Sequence, residues 1–165
     1  MLRIGICDDS AEARQHMLQL CQKYYENNTD AFEYKMYKNA EEVLEYCDDE
    51  ENQKIDILFL DIEMPDMSGL DFLESAQNAP KVIITSAYER YALRGYEFDV
   101  VDYLLKPISF SRFLKSVNKA HALMESTSKS EEPAYIFVKT EKQLKRLYLK
   151  EIQFIEGMEN YIVIH

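Results

Sequence analysis

The sequence predicts an α/β fold, a doubly wound five-stranded parallel sheet with a short all-β segment behind it. Apolar runs of strand length alternate with helical patterns five times over residues 2–124. Such alternation gives parallel strands joined by right-handed crossovers, with helices on both faces of the sheet. Beyond residue 133 the pattern changes to short strand-like runs separated by turn residues, which indicates a second and different segment.

The first two strand–helix pairs have distinct signals. Residues 2–7 form an apolar strand, and residues 11–24 place their apolar side chains on one helical face. Residues 32–37 alternate apolar and polar side chains, which is typical of an edge strand. Asn39, with Glu42 three residues later, has the pattern of a capping box and predicts the start of a short helix.

The next elements belong to the centre of the sheet. Residues 55–60 and 82–85 are continuous apolar runs, as expected for strands covered on both faces. Residues 69–76 between them predict a short helix, and residues 88–97 predict a longer one.

The fifth strand and helix complete the first domain. Residues 100–105 predict the strand, and Ser109 is a suitable N-cap for the helix. The apolar residues of that helix recur at helical spacing and are Phe110, Phe113, Leu114, Val117 and Met124.

Composition and charge divide the chain into three parts. We expect a first domain over residues 1–124, a polar linker over 125–133 and a separate segment over 134–165. Residues 1–133 carry 26 of the 30 acidic and 14 of the 19 basic residues, so their net charge is −12. An acidic body of this kind disfavours direct nucleic-acid binding, because phosphate contacts need a basic surface.

The sequence lacks the signals of membrane insertion or export. No stretch approaches the roughly 20 apolar residues of a membrane helix, and the N-terminus does not have the parts of a signal peptide. The cysteines Cys7, Cys21 and Cys47 lie in apolar patterns without metal-finger spacing, so we interpret them as small buried hydrophobes. We therefore expect a cytoplasmic protein that does not engage a membrane.

Polar side chains follow four of the five predicted strands. Asp8 and Asp9 follow the first strand, Asp61 follows the third, Ser86 ends the fourth and Lys106 follows the fifth. Ligands bind to doubly wound sheets outside the carboxyl ends of the strands. We therefore expect these five side chains to converge on one rim.

Taken singly, each of these residues has an ordinary structural explanation, such as capping of the first helix by Asp8 and Asp9. Their joint placement indicates a reactive site. Three crowded acids repel one another unless a cation lies among them, and a hard cation such as Mg²⁺ suits carboxylate oxygens. With a metal ion and Lys106 to offset charge, one carboxylate could attack a phosphoryl group and hold it as an acyl phosphate.

Four segments resemble the receiver domains of two-component response regulators. In order along the chain they are Ile4–Asp9, Phe59–Gly69, Ile83–Ala87 and Asp102–Pro107. The resemblance covers residues 1 to about 123 and implies the flavodoxin-like strand order 2-1-3-4-5.

The resemblance also implies roles for the residues at the rim. Asp61 would be the phosphoacceptor, and Asp9 and Asp61 would bind Mg²⁺ directly together with the backbone carbonyl of Glu63. Asp8 would bind the metal mainly through water, and Lys106 would contact the phosphoryl oxygens.

Two switch residues and a special peptide bond follow from the same resemblance. Ser86 would contact the phosphoryl group, in a position where many receivers have Thr, and Tyr103 would change rotamer in response. The Lys106–Pro107 peptide bond would be cis. The side chain of Glu63 has two open interpretations, since it could affect the water that hydrolyses the acyl phosphate or could simply face solvent.

The last segment resembles the beginning of a LytTR-type DNA-binding domain. The residues that carry this are Phe154–Gly157, followed by Asn160 and Tyr161 and a strand. Since about 30 residues cannot bury a core alone, we expect residues 134–165 to be an incomplete domain that is docked, swapped or disordered. DNA would then be a partner of the full-length protein, and this chain would bind it weakly or not at all.

The resulting hypothesis is a phosphorylation-activated response regulator that controls transcription. Its partners would be a sensor histidine kinase and, on activation, a second copy of itself, bound through an aromatic-rich surface that includes Tyr88, Tyr91 and Tyr103. It would catalyse only its own phosphorylation and dephosphorylation.

Three alternatives remain at this point. A haloacid-dehalogenase-type phosphatase is disfavoured because its nucleophile follows the first strand, whereas Asp61 follows the third. A flavodoxin-like cofactor binder is disfavoured because four widely spaced glycines cannot form a phosphate loop. A receiver that acts only as an interaction surface is disfavoured by the complete set of acids, hydroxyl and lysine.

Overall fold

The computed structural model describes most of the chain. The described ranges are residues 1–26, 32–76, 79–91 and 98–129, followed by 135–139, 144–148, 155–158 and 161–164. The chain divides into two compact units, Met1–His121 and Ala122–His165.

The first unit contains a five-stranded, wholly parallel sheet. Its strands are β1 (Leu2–Cys7), β2 (Phe32–Tyr37), β3 (Ile57–Asp61), β4 (Lys81–Ser86) and β5 (Asp102–Leu105). Their order is β2-β1-β3-β4-β5, which confirms the flavodoxin-like arrangement. Every residue of the central strand β3 is buried, whereas three consecutive residues of the edge strand β2, Glu33, Tyr34 and Lys35, are exposed. The burial of β2 therefore does not follow the alternation of its sequence.

The described residues include four α-helices that connect and cover the strands. They are α1 (Ala11–Tyr25), α2 (Ala40–Asp48), α3 (Gly69–Ser75) and α4 (Phe110–Lys129), and a 3₁₀ turn occupies Glu89–Tyr91. Side-chain caps fix where the first three helices begin. Ser10 accepts a hydrogen bond from the backbone N–H of Ala13, and Asn39 accepts one from that of Glu42 at 2.9 Å.

The capping box predicted at Asn39 is only half formed. The Glu42 carboxylate accepts from the backbone N–H of Lys38 at 2.9 Å, one residue earlier than a capping box requires. A reciprocal capping box occurs instead at Ser68, which exchanges hydrogen bonds with Asp71 at the start of α3.

Helices cover both faces of the sheet. Leu58 and Leu60 of β3 pack in one buried cluster with Val43 of α2 and Phe72 of α3. Phe59, which points to the other face, stacks on Phe113 of α4 with ring centroids 5.5 Å apart. The alternation of side chains along β3 therefore supplies both halves of the core.

Two of the three cysteines are core residues, as expected. Cys7 and Cys21 are buried, and Cys47 is partly exposed. Burial raises the pKa of all three thiols, so they remain protonated at neutral pH.

Some element boundaries differ from the sequence predictions. β5 starts at Asp102 rather than at residue 100, because the backbone N–H of Val100 donates to Phe98 in a turn. Helix α4 continues to Lys129 and so includes the first part of the predicted linker. Of the helix predicted over residues 88–97, the described part is the 3₁₀ turn, and residues 92–97 lie outside the described residues.

The described residues of the second unit form two antiparallel hairpins. β6 (Tyr135–Lys139) pairs with β7 (Leu144–Tyr148), and β8 (Ile155–Met158) pairs with β9 (Tyr161–Ile164). Residues 149–154, between the two hairpins, lie outside the described residues. Among the helices that the structure describes, none has the length and apolar character needed to cross a membrane.

Candidate phosphoryl and metal site

The carboxyl ends of β1, β3 and β5 bring two carboxylates and an ammonium group together. Asp8 follows β1, Asp61 is the last residue of β3, and Lys106 follows β5. The Lys106 Nζ atom lies 2.6 Å from Asp8 Oδ2 and 2.7 Å from Asp61 Oδ1. One lysine therefore bridges two acids that are 53 residues apart in the chain.

Burial and charge perturb these groups. Burial is the largest influence on Asp61 and raises its pKa; Lys106 opposes the shift, Asp8 and Asp9 add to it, and the resulting pKa is about 6. Burial alone would lower the pKa of Lys106, but its hydrogen bonds with Asp61 and Asp8 outweigh that effect and raise it. The lysine is therefore positively charged at neutral pH.

Asp9 completes a group of three acids. One carboxylate oxygen from each of Asp8, Asp9 and Asp61 lies within 4.8 Å of the others, and Asp9 is the exposed member. When all three are ionised, Lys106 balances one of the three negative charges and leaves two. Oxygen ligands in this number and with this residual charge fit a hard divalent cation.

The loop after β1 is held by a residue that the sequence reasoning missed. The Arg14 Nη1 atom donates to the carbonyl of Asp8 at 2.6 Å and to that of Asp9 at 3.1 Å. The backbone N–H of Ser10 donates to Asp8 Oδ1 at 2.9 Å. These contacts fix Asp8 from both sides. The available signal was a basic residue in the first turn of α1, six residues after Asp8.

The loop after β3 approaches Asp61 closely. A Cβ atom placed on Gly69 would lie 2.2 Å from the backbone oxygen of Asp61, so a side chain cannot be accommodated without movement of the backbone. The Gly69 N–H donates to Ile62 O at 3.0 Å. Asp66 has a φ of 67°, a left-handed conformation that is uncommon outside glycine. The loop is thus tightly folded against the end of β3.

Ser86 and Tyr103 lie on the neighbouring strands β4 and β5. Ser86 is fully buried, and its Oγ accepts from the backbone N–H of Tyr88 at 3.1 Å. The Tyr103 hydroxyl donates to the carbonyl of Tyr88. Burial raises the pKa of Tyr103, and a hydrogen bond with Ser86 partly offsets the increase. The two predicted switch residues therefore contact the same short segment.

Glu63 and the Lys106–Pro107 peptide have well-defined positions. The Glu63 side chain is exposed, and its Oε1 atom is 3.3 Å from both Arg90 Nη2 and the Tyr91 hydroxyl. Of the two interpretations left open for this side chain, neither included a bound arginine. The Lys106–Pro107 bond is cis.

A second ion pair supports β5 and the start of α4. Arg112 donates to both carboxylate oxygens of Asp102, at 2.6 and 2.9 Å, and to the carbonyl of Tyr103 at 2.9 Å. Burial alone would raise the pKa of Asp102, but hydrogen bonds from Arg112, Ser116 and the Tyr103 N–H hold it at about 2.

Comparison with known proteins identifies relatives of the first unit. The family model described as response regulator receiver domain matches residues 4–118. The "Sensory transduction protein LytT" of Bacillus subtilis is 32% identical over 122 residues, which cover 72% of this chain and 48% of that protein. The "Sensory transduction protein LytR" of Streptococcus agalactiae is 28% identical over 165 residues, 98% of this chain and 65% of its own length. The chain thus spans between about half and two thirds of these curated relatives.

A solved structure shows the same fold. The response regulatory domain of mrkE from Klebsiella pneumoniae superimposes with a TM-score of 0.64 at 24% identity, and the match covers 76% of this chain and 99% of that structure.

Proposed function

This chain belongs to the response-regulator receiver family of two-component, phosphorylation-activated signalling, and we propose that Asp61 is its phosphoacceptor. The observation that carries the proposal is the pair of contacts from Lys106 to Asp61 and Asp8 at the carboxyl end of the sheet. Asp61 is the buried acid at the end of the central strand, and it shares the site with two further carboxylates.

The chemistry assigned to Asp61 is nucleophilic. One of its carboxylate oxygens would form a bond to the phosphorus of a donor, while the bond from phosphorus to the donor's nitrogen or oxygen breaks and the leaving group takes the electron pair. Lys106, whose Nζ atom already donates to Asp61 Oδ1, would contact the phosphoryl oxygens and balance their charge.

The donor set supports Mg²⁺ as the cofactor. We propose that Asp9 and Asp61 bind it directly, with the backbone carbonyl of Glu63, and that Asp8 acts mainly through water. When bound, the ion supplies the positive charge that phosphoryl transfer to a crowded group of acids requires. The Arg14 contacts hold the loop of Asp8 and Asp9 in place for this role.

Ser86 and Tyr103 are proposed to transmit the phosphorylated state. The Ser86 Oγ, which accepts from Tyr88 N–H, would turn to the phosphoryl group. The Tyr103 hydroxyl would then leave the Tyr88 carbonyl as its side chain changes rotamer. The surface near Tyr88, which is 46% exposed, would change as a result.

The proposed partners follow from this mechanism. A sensor histidine kinase would donate the phosphoryl group, and activation would promote homodimerisation through the surface around Tyr88, β5 and α4. In the full-length protein, a LytTR-type DNA-binding domain that begins at residue 134 would control transcription. The domain boundaries at residues 124 and 133 and a cytoplasmic location belong to the same proposal.

Phosphorylation and self-association test this function together. The chain and an Asp61→Asn variant are incubated with Mg²⁺ and acetyl phosphate, or with beryllofluoride, and labelling and molar mass by light scattering are measured. We expect labelling and an increase in mass in the wild type alone. Turnover of assorted phosphomonoesters would indicate a phosphatase instead, and no Mg²⁺-dependent response would indicate an interaction module.

A further inference from the structure

We propose that Arg90 is a positioning residue for the phosphorylation site. It holds the carboxylate of Glu63, which lies two residues beyond Asp61 in the chain, and balances its charge, and it thereby sets the rate at which anionic phosphoryl donors reach Asp61. This inference rests on the proposed function of Asp61.

Arg90 is held by contacts on several sides. Its Nη2 atom lies 3.3 Å from Glu63 Oε1 and donates to the Tyr91 hydroxyl at 3.2 Å. The Tyr91 hydroxyl in turn donates to the same Glu63 oxygen at 3.3 Å, which closes a triangle of three side chains. The guanidinium also lies 4.7 and 4.9 Å from the ring centroids of Tyr88 and Tyr91. These contacts orient the guanidinium of Arg90 towards Glu63, although the arginine side chain is 65% exposed.

The triangle connects two loops that flank the site. Glu63 belongs to the loop after β3, two residues beyond Asp61, and Arg90 and Tyr91 belong to the 3₁₀ turn after β4. Glu63 and Tyr91 line a cavity of about 550 Å³ together with Asp9, the exposed acid of the metal-binding group. A small molecule in this cavity lies beside the Glu63 carboxylate and next to Asp9 of the metal-binding group.

Charge determines what the triangle does. A phosphoryl donor is an anion, and Asp9 already places a negative charge in the cavity. With Arg90 in place, the charge of Glu63 is balanced. Without Arg90, the Glu63 carboxylate in the same cavity is uncompensated and repels the donor, even when bound Mg²⁺ offsets the charge of Asp9. The effect of one exposed charge on association is about two- to fivefold, and it is screened by salt.

The test measures labelling of Asp61 by acetyl phosphate at saturating Mg²⁺, in low and in high salt. The variants are Arg90→Gln, Arg90→Lys and Glu63→Gln. The matched control is Lys54→Gln, which removes one positive charge from an exposed position before β3, at the opposite end of that strand from Asp61. The rate at which the acyl phosphate hydrolyses is measured in each variant, because its attacking molecule, water, is uncharged.

We expect Arg90→Gln to slow labelling about two- to fivefold in low salt and to match the wild type in high salt. Arg90→Lys should restore the rate, Glu63→Gln should increase it, and Lys54→Gln should leave it unchanged. Hydrolysis should stay within about twofold in all of them.

Two results would overturn the inference while leaving the phosphoacceptor intact. One is wild-type labelling by Arg90→Gln in low salt. The other is a loss that neither salt nor Arg90→Lys relieves, which would show that Arg90 only supports the loop. Absence of Asp61-dependent labelling in the wild type would instead refute the proposed function, and this inference with it.

Discussion

Replacement of Gly69 by alanine tests how closely the loop after β3 packs on the phosphorylation site. The added Cβ atom would lie 2.2 Å from the backbone oxygen of Asp61 and 3.1 Å from both its carbonyl carbon and the Cα of Ile62. Favourable contacts between such atoms need at least about 3.5 Å. The loop must therefore move by roughly 1 Å, and since the obstacle is backbone, no side-chain rotation relieves the clash.

The expected cost is about 3 kcal/mol, at the upper end for overpacking, because the strained atoms belong to the central strand. Gly5→Ala is the matched control. The three atoms nearest to its Cβ would all be side-chain atoms, Leu58 Cδ1 at 2.8 Å and two atoms of Ile55 at 3.2 and 3.3 Å. Rotation of these side chains limits the cost to about 1 kcal/mol.

Urea denaturation of the two variants measures the difference in the free energy of unfolding. Gly69→Ala should also weaken Mg²⁺ binding, since the displaced backbone belongs to Asp61. Alanine is favoured over glycine within a helix by about 1 kcal/mol, and Gly69 is the first residue of α3. Because this gain is smaller than the expected cost of about 3 kcal/mol, a Gly69→Ala protein as stable as the wild type or more stable would refute the close approach.

Three further changes have expected outcomes. Lys106→Met leaves two buried carboxylates without their shared cation and should lower the free energy of unfolding by roughly 3 kcal/mol. This value is at the lower end for a broken buried pair, because Lys106 is 28% exposed. Added Mg²⁺ should recover part of the lost stability, and unchanged stability in urea would contradict the ion-pair geometry. The pKa of Asp102 is lowered from 3.8 to about 2, so its ionised form stabilises the fold above pH 4 and that contribution disappears as the pH falls towards 2. The contribution of ionised Asp102 should amount to about 1 to 2 kcal/mol, a value reduced for solvent screening because Arg112 is 42% exposed. A parallel acid titration of Asp102→Asn should lack this contribution. The described residues give the buried Tyr37 hydroxyl no hydrogen-bond partner, so Tyr37→Phe should be neutral or stabilising by up to about 1 kcal/mol, and a thermal melt that shows clear destabilisation would point to a bound partner.

The sequence predicts those parts of the fold that depend on the order of apolar and polar residues within one strand or helix. The continuous apolar run of β3 matches the full burial of that strand, because helices cover both faces of the sheet there. The alternation in β2 does not match the burial of that strand, since Tyr34 is exposed between the exposed residues Glu33 and Lys35 at the edge of the sheet. The end of α4 was not predicted, because its last residues, Ser126–Lys129, are polar and have no helical periodicity.

The site divides in the same way. Asp8, Asp61 and Lys106 were predicted together because parallel strands end at a common rim, a rule that needs only the strand positions. Arg14 and Arg90 were not predicted as parts of the site, because their partners are backbone carbonyls and a carboxylate 27 residues away. Such contacts depend on how loops fold in three dimensions. The position of Arg14, six residues after Asp8, is a signal for a basic residue near the site but does not identify its partners.

The identity of the acid that carries the phosphoryl group is the central question, since three carboxylates share the site. Treatment with acetyl phosphate and Mg²⁺, followed by borohydride reduction, converts a phosphorylated aspartate to homoserine, which peptide mass spectrometry locates. We expect homoserine at position 61 alone, dependent on Mg²⁺ and absent from Asp61→Asn. Homoserine at Asp8 or Asp9, or none at any of the three positions, would contradict the assignment of Asp61 as the phosphoacceptor.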